Sequence, residues 1–152
     1  MSILEKCNFF TGVSQNTLAA IEHAVERSSY SSGAVIFQAG EPADYFYVLE
    51  DGRVRLRFSE GGQVAYALSD PGEVFGWSSM IDQAQYTLSA QSVSKVSAVR
   101  IHKAALAELL NDDPPSGLAF YRNMSVFVGQ RLFASYKATV FVHGERSSLS
   151  YG

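Results

Sequence analysis

The sequence predicts a mainly β protein, an antiparallel sandwich or barrel with helices before and after it. Three observations lead there. Between Ser28 and His102, short runs rich in β-branched and aromatic residues recur at roughly the 8–12-residue spacing of consecutive strands. Glycine, proline and aspartate separate those runs, which is the chemistry of tight turns. Outside this stretch the apolar residues return at helical spacing instead.

The totals set the frame. A chain of 152 residues, 47% apolar and 18% charged, is one domain able to bury a core, and its composition excludes disorder. A net charge of −3 argues against nucleic acid as the main partner, because phosphate binding needs concentrated positive charge. Cys7 is the only cysteine, which excludes an intrachain disulfide and a cysteine metal cluster; it reads as a small buried hydrophobe. No apolar run reaches membrane-spanning length, and MSILEKCNFF lacks the apolar core of a signal peptide, so a cytoplasmic protein is expected. His23, His102 and His143 show no metal spacing, no nucleophile stands beside a base, and Asp112-Asp113 reads as turn chemistry. No metal or enzyme activity is expected.

Ser14 can cap a helix over Gln15 to Glu26, with Leu18, Ile21, Ala24 and Val25 on one face and Phe9, Phe10 and Val13 seating it. Strand-like runs follow at 35–37, 45–49 and 53–58, with Glu50-Asp51-Gly52 between the last two as a hairpin signal. A second hairpin turns at Glu60-Gly61-Gly62 into 63–68, and further strands are expected at 87–93 and 96–101. Arg53, Arg55 and Arg57 alternate with Val54, Leu56 and Phe58, placing the arginines on one face, which reads as solvated. Ala104 to Leu110 makes a short helix, ended before Pro114-Pro115. Ser116 can cap a long helix reaching about Val142, apolar over more of its circumference than one sheet contact needs. The divisions expected are a helical segment 1–27, strands 28–102, helices 103–142 and a flexible polar tail 143–152.

Gly33, Gly40-Glu41-Pro42-Ala43-Asp44, Glu50-Asp51-Gly52 and Asp70-Pro71-Gly72-Glu73-Val74-Phe75-Gly76 occur in the order of the turns of a known family. The chain resembles the cyclic-nucleotide-binding domain shared by catabolite activator-like regulators, kinase regulatory subunits and gated channels. The resemblance implies an antiparallel, jelly-roll-like β-roll of about eight strands with an N-terminal helix, a short helix and a long C-terminal helix. It also implies a phosphate-binding cassette at 70–90 and a role in signal transduction. In regulators of this family the long helix forms a parallel dimer, which assigns Leu118, Tyr121, Ser125, Val128 and Leu132 to a homodimer seam. Such regulators continue into a helix-turn-helix domain. The ten residues after Val142 cannot form one, so the chain reads as a free-standing sensor or as part of a longer regulator, and duplex DNA binding by it alone is not expected.

The cassette departs from the family at two positions. Where a glutamate would grip the ribose stands Trp77; where an arginine would pair with the cyclic phosphate stands Tyr86. A buried charge-assisted contact of that kind is worth several kcal/mol, roughly two decades of affinity, which a neutral phenol does not replace. Tight cyclic-nucleotide binding in the usual manner is therefore not expected. Phe75, Gly76, Trp77, Ser78, Ser79, Tyr86, Thr87 and Ser89 remain the candidate ligand residues. Helix-start amides near Ser78 to Ile81 and the aromatic rings would suit a small anionic or planar ligand. Trp77 and Tyr86 filling the pocket of a ligand-free interaction scaffold is the competing reading.

Overall fold

In the computed structural model, which describes residues 2–58 and 62–143, eight antiparallel strands form two four-stranded sheets. The first holds β1 (Glu26–Tyr30), β3 (Tyr45–Asp51), β6 (Val74–Phe75) and β8 (Val96–His102) in the order β1-β8-β3-β6. The second holds β2 (Val35–Phe37), β4 (Val54–Arg57), β5 (Val64–Leu68) and β7 (Ser89–Ser92) in the order β2-β7-β4-β5. Three helices, α1 (Gln15–Ala24), α2 (Lys103–Asn111) and α3 (Pro114–His143), complete the β-roll expected from the sequence. Among the described residues no helix is long and apolar enough to cross a membrane.

Burial along β3 shows how the layers are built. Phe46, Tyr47, Val48 and Leu49 are all buried, although side chains alternate between the two faces of a strand. Both faces of the first sheet are therefore covered. Phe46 and Val48 join Val74, Val99 and Ile101 in a core shared with the helices, including Leu18, Leu106 and Phe120. Tyr47 and Leu49 face the other way, into a core between the sheets with Phe37, Leu56 and Phe75. The second sheet is covered on one side only, so Val54 and Leu56 are buried while Arg53 and Arg55 are exposed. Arg57 turns back, donating from its Nη1 to the Gly62 carbonyl at 2.6 Å. Cys7 is buried beside the helical core, and burial pushes its thiol up to about 12, consistent with an inert hydrophobe.

Three local expectations are corrected. The first helix ends at Ala24 rather than Glu26, because Val25 is already extended and Glu26 opens β1. That strand, Glu-Arg-Ser-Ser-Tyr, escaped a hydrophobicity reading because it is a largely exposed edge paired with β8 alone; Glu26 holds Arg100 at 3.0 Å and Arg27 holds Glu50 at 3.1 Å. Second, Glu50-Asp51-Gly52 is not a hairpin: it carries the chain from β3 in one sheet to β4 in the other. Gly52 has φ +96°, and a Cβ there would stand 2.2 Å from the Lys95 carbonyl oxygen, so the turn is wedged against the matching crossover between β7 and β8. The later expected hairpin does form, β4 pairing with β5 from Val54↔Leu68, although its turn residues 59–61 lie outside the described residues.

Third, α3 starts at Pro114, not after Ser116. Proline suits the first helical turn, where its missing N–H would have no partner. Asp113 occupies the capping place, its carbonyl accepting from the Gly117 N–H at 3.0 Å. Its carboxylate accepts hydroxyls from Ser14 and Thr17, both at 2.7 Å, and from Ser116. Ser14 in turn caps α1, accepting from the Thr17 N–H. One acid thus joins the starts of two helices. These hydroxyl donors hold the Asp113 carboxyl down at about 2, below its ordinary value of 3.8. Because the folded value is the lower one, its stabilisation is complete above about 3.8 and is lost as pH falls towards 2. Thermal denaturation of the Asp113→Asn variant should show a lowered melting temperature at pH 7 and a gap to wild type that narrows through that acid window; a gap independent of pH would refute the assignment. The expected tail 143–152 lies, from residue 144 onward, outside the described residues.

Candidate functional site

The cassette is assembled from its turns. The Glu73 carboxylate accepts from the Ser69 and Asp70 amides at 2.9 and 2.8 Å, closing the Asp-Pro-Gly bend. β6 then runs antiparallel to β3, pairing Phe75 with Tyr47. Gly76 has φ +70°, and a Cβ there would stand 2.9 Å from the Tyr47 ring and 3.0 Å from the Tyr45 carbonyl oxygen, so glycine alone allows this close reversal. A single 3-10 turn, Trp77–Met80, follows. The return segment is held from outside by the β2–β3 loop: Gly40 N–H donates to the Tyr86 carbonyl and Tyr86 N–H to the Glu41 carbonyl, at 2.9 and 3.0 Å.

Tyr86 is built into the core at the cassette. It is only 5% exposed, its ring stacks on Phe37 with centroids 3.8 Å apart, and its hydroxyl donates to the Tyr45 carbonyl at 2.7 Å. The same hydroxyl accepts from the Tyr45 N–H at 3.1 Å. Burial raises its pKa above the ordinary tyrosine value, so it stays a neutral phenol. Trp77 takes a different course. It is half-buried and turns edge-on to Phe127 of α3, 6.2 Å between centroids.

A cavity of about 50 Å³ remains inside. Of the eight cassette residues picked from the sequence, Gly76, Trp77, Ser78, Tyr86 and Thr87 line it. The other three are engaged elsewhere. Phe75 is fully buried and stacks on Tyr47 at 4.8 Å; the Ser79 hydroxyl donates to the Gly76 carbonyl at 2.8 Å; Ser89 accepts from the Ala39 N–H at 2.9 Å. The anticipated helix start at Ser78 to Ile81 is a 3-10 turn of four residues, Trp77–Met80, whose Ser79 and Ile81 amides donate to the Gly76 and Ser78 carbonyls.

The structure adds lining residues that sequence reading missed: Phe37, Leu56, Tyr66, Leu88 and, from far along the chain, Arg131. The Arg131 guanidinium lies over the Tyr66 ring at 3.8 Å and over Phe127 at 4.8 Å. No spacing within the cassette points to it, because α3 delivers it. That helix is anchored by its first half: Phe120 and Met124 are buried, Phe9 and Phe10 pack on Phe120, and Asn123 donates to the Phe9 and Thr11 carbonyls. On its outer side Leu118, Tyr121, Ser125 and Leu132 are exposed, Leu118 by 72%, while Val128 is partly buried against the helical core.

An eight-stranded β-roll, a glycine-turned cassette and a long helix across its mouth define the class of protein: a β-roll regulatory domain. The model of the cyclic nucleotide-binding domain family matches residues 27–113, more than half of the chain, and the chain belongs to that family. It is 29% identical over 114 residues to the CRP-like cAMP-activated global transcriptional regulator of Mycobacterium tuberculosis, covering 74% of this chain and 51% of that protein. The chain thus spans about half the length of the curated relatives it matches first. Among solved structures it resembles a cyclic nucleotide-binding protein of Geobacter metallireducens, at 30% identity with a TM-score of 0.74, covering 87% of this chain and 99% of that one. The sensor domain of the transcriptional regulator DNR from Pseudomonas aeruginosa matches at 27% identity with a TM-score of 0.72, covering 86% and 89%.

Proposed function

We propose that this chain is a non-catalytic sensor module that passes the state of its pocket to α3 and binds cyclic nucleotides weakly or not at all. The observation that carries this reading is Tyr86, a neutral side chain locked into the core where the cyclic phosphate would need a cation. Its relatives among transcription regulators suggest the effector part of such a regulator, working in the cytoplasm. Leu118, Tyr121, Ser125, Val128 and Leu132 follow one another by three and four residues, the rhythm of a two-helix seam, and support a homodimer through α3. A second reading has an observation of its own. The cassette cavity, about 50 Å³, is far below the roughly 300 Å³ of small ligand sites, which favours a ligand-free dimerisation scaffold.

Isothermal titration calorimetry with cAMP and cGMP tests the main reading directly. No heat of binding at micromolar nucleotide is expected, and a micromolar cAMP site would overturn it. Sedimentation should give a dimer that Leu118→Asp with Leu132→Asp converts to a monomer; a monomeric wild type would remove the α3 seam.

A further inference from the structure

The inner cavity does not stand alone. It shares Tyr66, Thr87 and Leu88 with an open groove of about 510 Å³ beneath the later turns of α3. The other walls of that groove are Phe58, Val64 and Ala65 on the β-hairpin, and Ala134, Ser135 and Ala138 on the helix. Its polar atoms come from hydroxyls and backbone. Among the described residues no charged side chain lines the groove, and Arg131 alone does so in the cavity that joins it.

Arg131 pairs with no carboxylate among the described residues. It is held instead between ring faces, a contact worth about 0.5–2 kcal/mol, strong enough to orient a guanidinium and weak enough to yield to an anion. With its Cζ 3.8 Å from the Tyr66 centroid and no carboxylate partner, the guanidinium has N–H donors to offer, and its fork geometry suits a carboxylate. Arg131 also borders a second cavity lined by Lys6, Asp70 and Glu73, but toward the groove under α3 its neighbours are apolar, and one cation there selects one negative charge on an apolar body. The polar ribose and cyclic phosphate of a nucleotide would meet neither a carboxylate nor a second cation there.

Resting on the sensor reading above, we infer that this pocket takes an organic monoanion, a carboxylate on an aryl or acyl body, with its head on Arg131 and its body in the groove under α3. The charged end of the ligand is then gripped by the helix, not by the cassette. Occupancy thereby acts on α3 directly, since binding exchanges the Tyr66–Arg131 contact between β5 and α3 for an anion pair.

Calorimetric titration of the full chain with 2-naphthoate and with decanoate is the test, alongside the neutral alcohols of the same bodies. At least one carboxylate should bind saturably and bind about tenfold or more tightly than its alcohol, the share expected of a charge-assisted pair. Arg131→Gln should remove that preference and leave the alcohol unchanged, and Arg131→Lys should restore part of it; melting curves of both variants report folding separately. Carboxylates and alcohols binding alike, or neither carboxylate binding at millimolar concentration, would overturn the inference while leaving the sensor reading in place. Micromolar cAMP binding would instead remove the reading beneath it.

Discussion

Truncating Tyr86 to alanine should lower the free energy of unfolding by about 3–5 kcal/mol, the range for deleting a buried aromatic ring. The ring is stacked on Phe37 and closes the core between the sheets, with Ala43, Tyr47 and Phe75 in the same cluster. Its hydroxyl satisfies both the N–H and the carbonyl of Tyr45 at the start of β3. Tyr86→Phe keeps the ring and isolates that second part, expected to cost about 1 kcal/mol because the half-buried Tyr45 backbone groups lose this partner. Urea denaturation of the three proteins separates the two contributions. A Tyr86→Ala variant as stable as wild type would show that the cassette is not sealed by this residue.

The second large effect is a gain of function. Trp77→Glu combined with Tyr86→Arg should raise cAMP affinity by roughly two decades over wild type, the worth of a buried charge-assisted phosphate contact. The backbone that would present the arginine is already in place: the return segment is hydrogen-bonded to Gly40 and Glu41, and Gly76 keeps its left-handed turn. Removing Trp77 also frees its edge contact with Phe127, giving α3 room to move from the cavity. Tyr86→Arg alone should recover part of the gain, since the ribose contact would still be missing. Calorimetry at fixed ionic strength reads the result. A folded double variant with no gain would place the divergence deeper than these two positions.

Helix and strand were legible along most of the chain because period and turn chemistry are local properties. Ser14 caps α1 as expected, and Val54 and Leu56 face the core while Arg55 does not. The misses share one cause. β1 carries an exposed edge sequence, Asp51-Gly52 looks like a hairpin, and Ser116 looks like the cap of a helix that in fact starts at Pro114, because the identity of each segment's partner is not encoded within the segment. Asp112-Asp113 read as turn chemistry; only packing brings Ser14 and Thr17 to Asp113 and makes it the joint of two helices.

The candidate site divides in the same way. The order of turns from Gly33 to Gly76, and the absence of charge at Trp77 and Tyr86, can be read residue by residue in the sequence, because backbone reversals and side-chain charge are intrinsic to the residues that carry them. What only the tertiary structure decided is the use of those residues: Tyr86 turned into the core, Trp77 turned to the helix, Ser79 and Ser89 engaged by nearby backbone. It also decided that the cation at the pocket is Arg131. That residue reaches the cassette because Phe120 and Met124 anchor the start of α3 on the helical core, and a rigid helix then fixes where its later turns must lie.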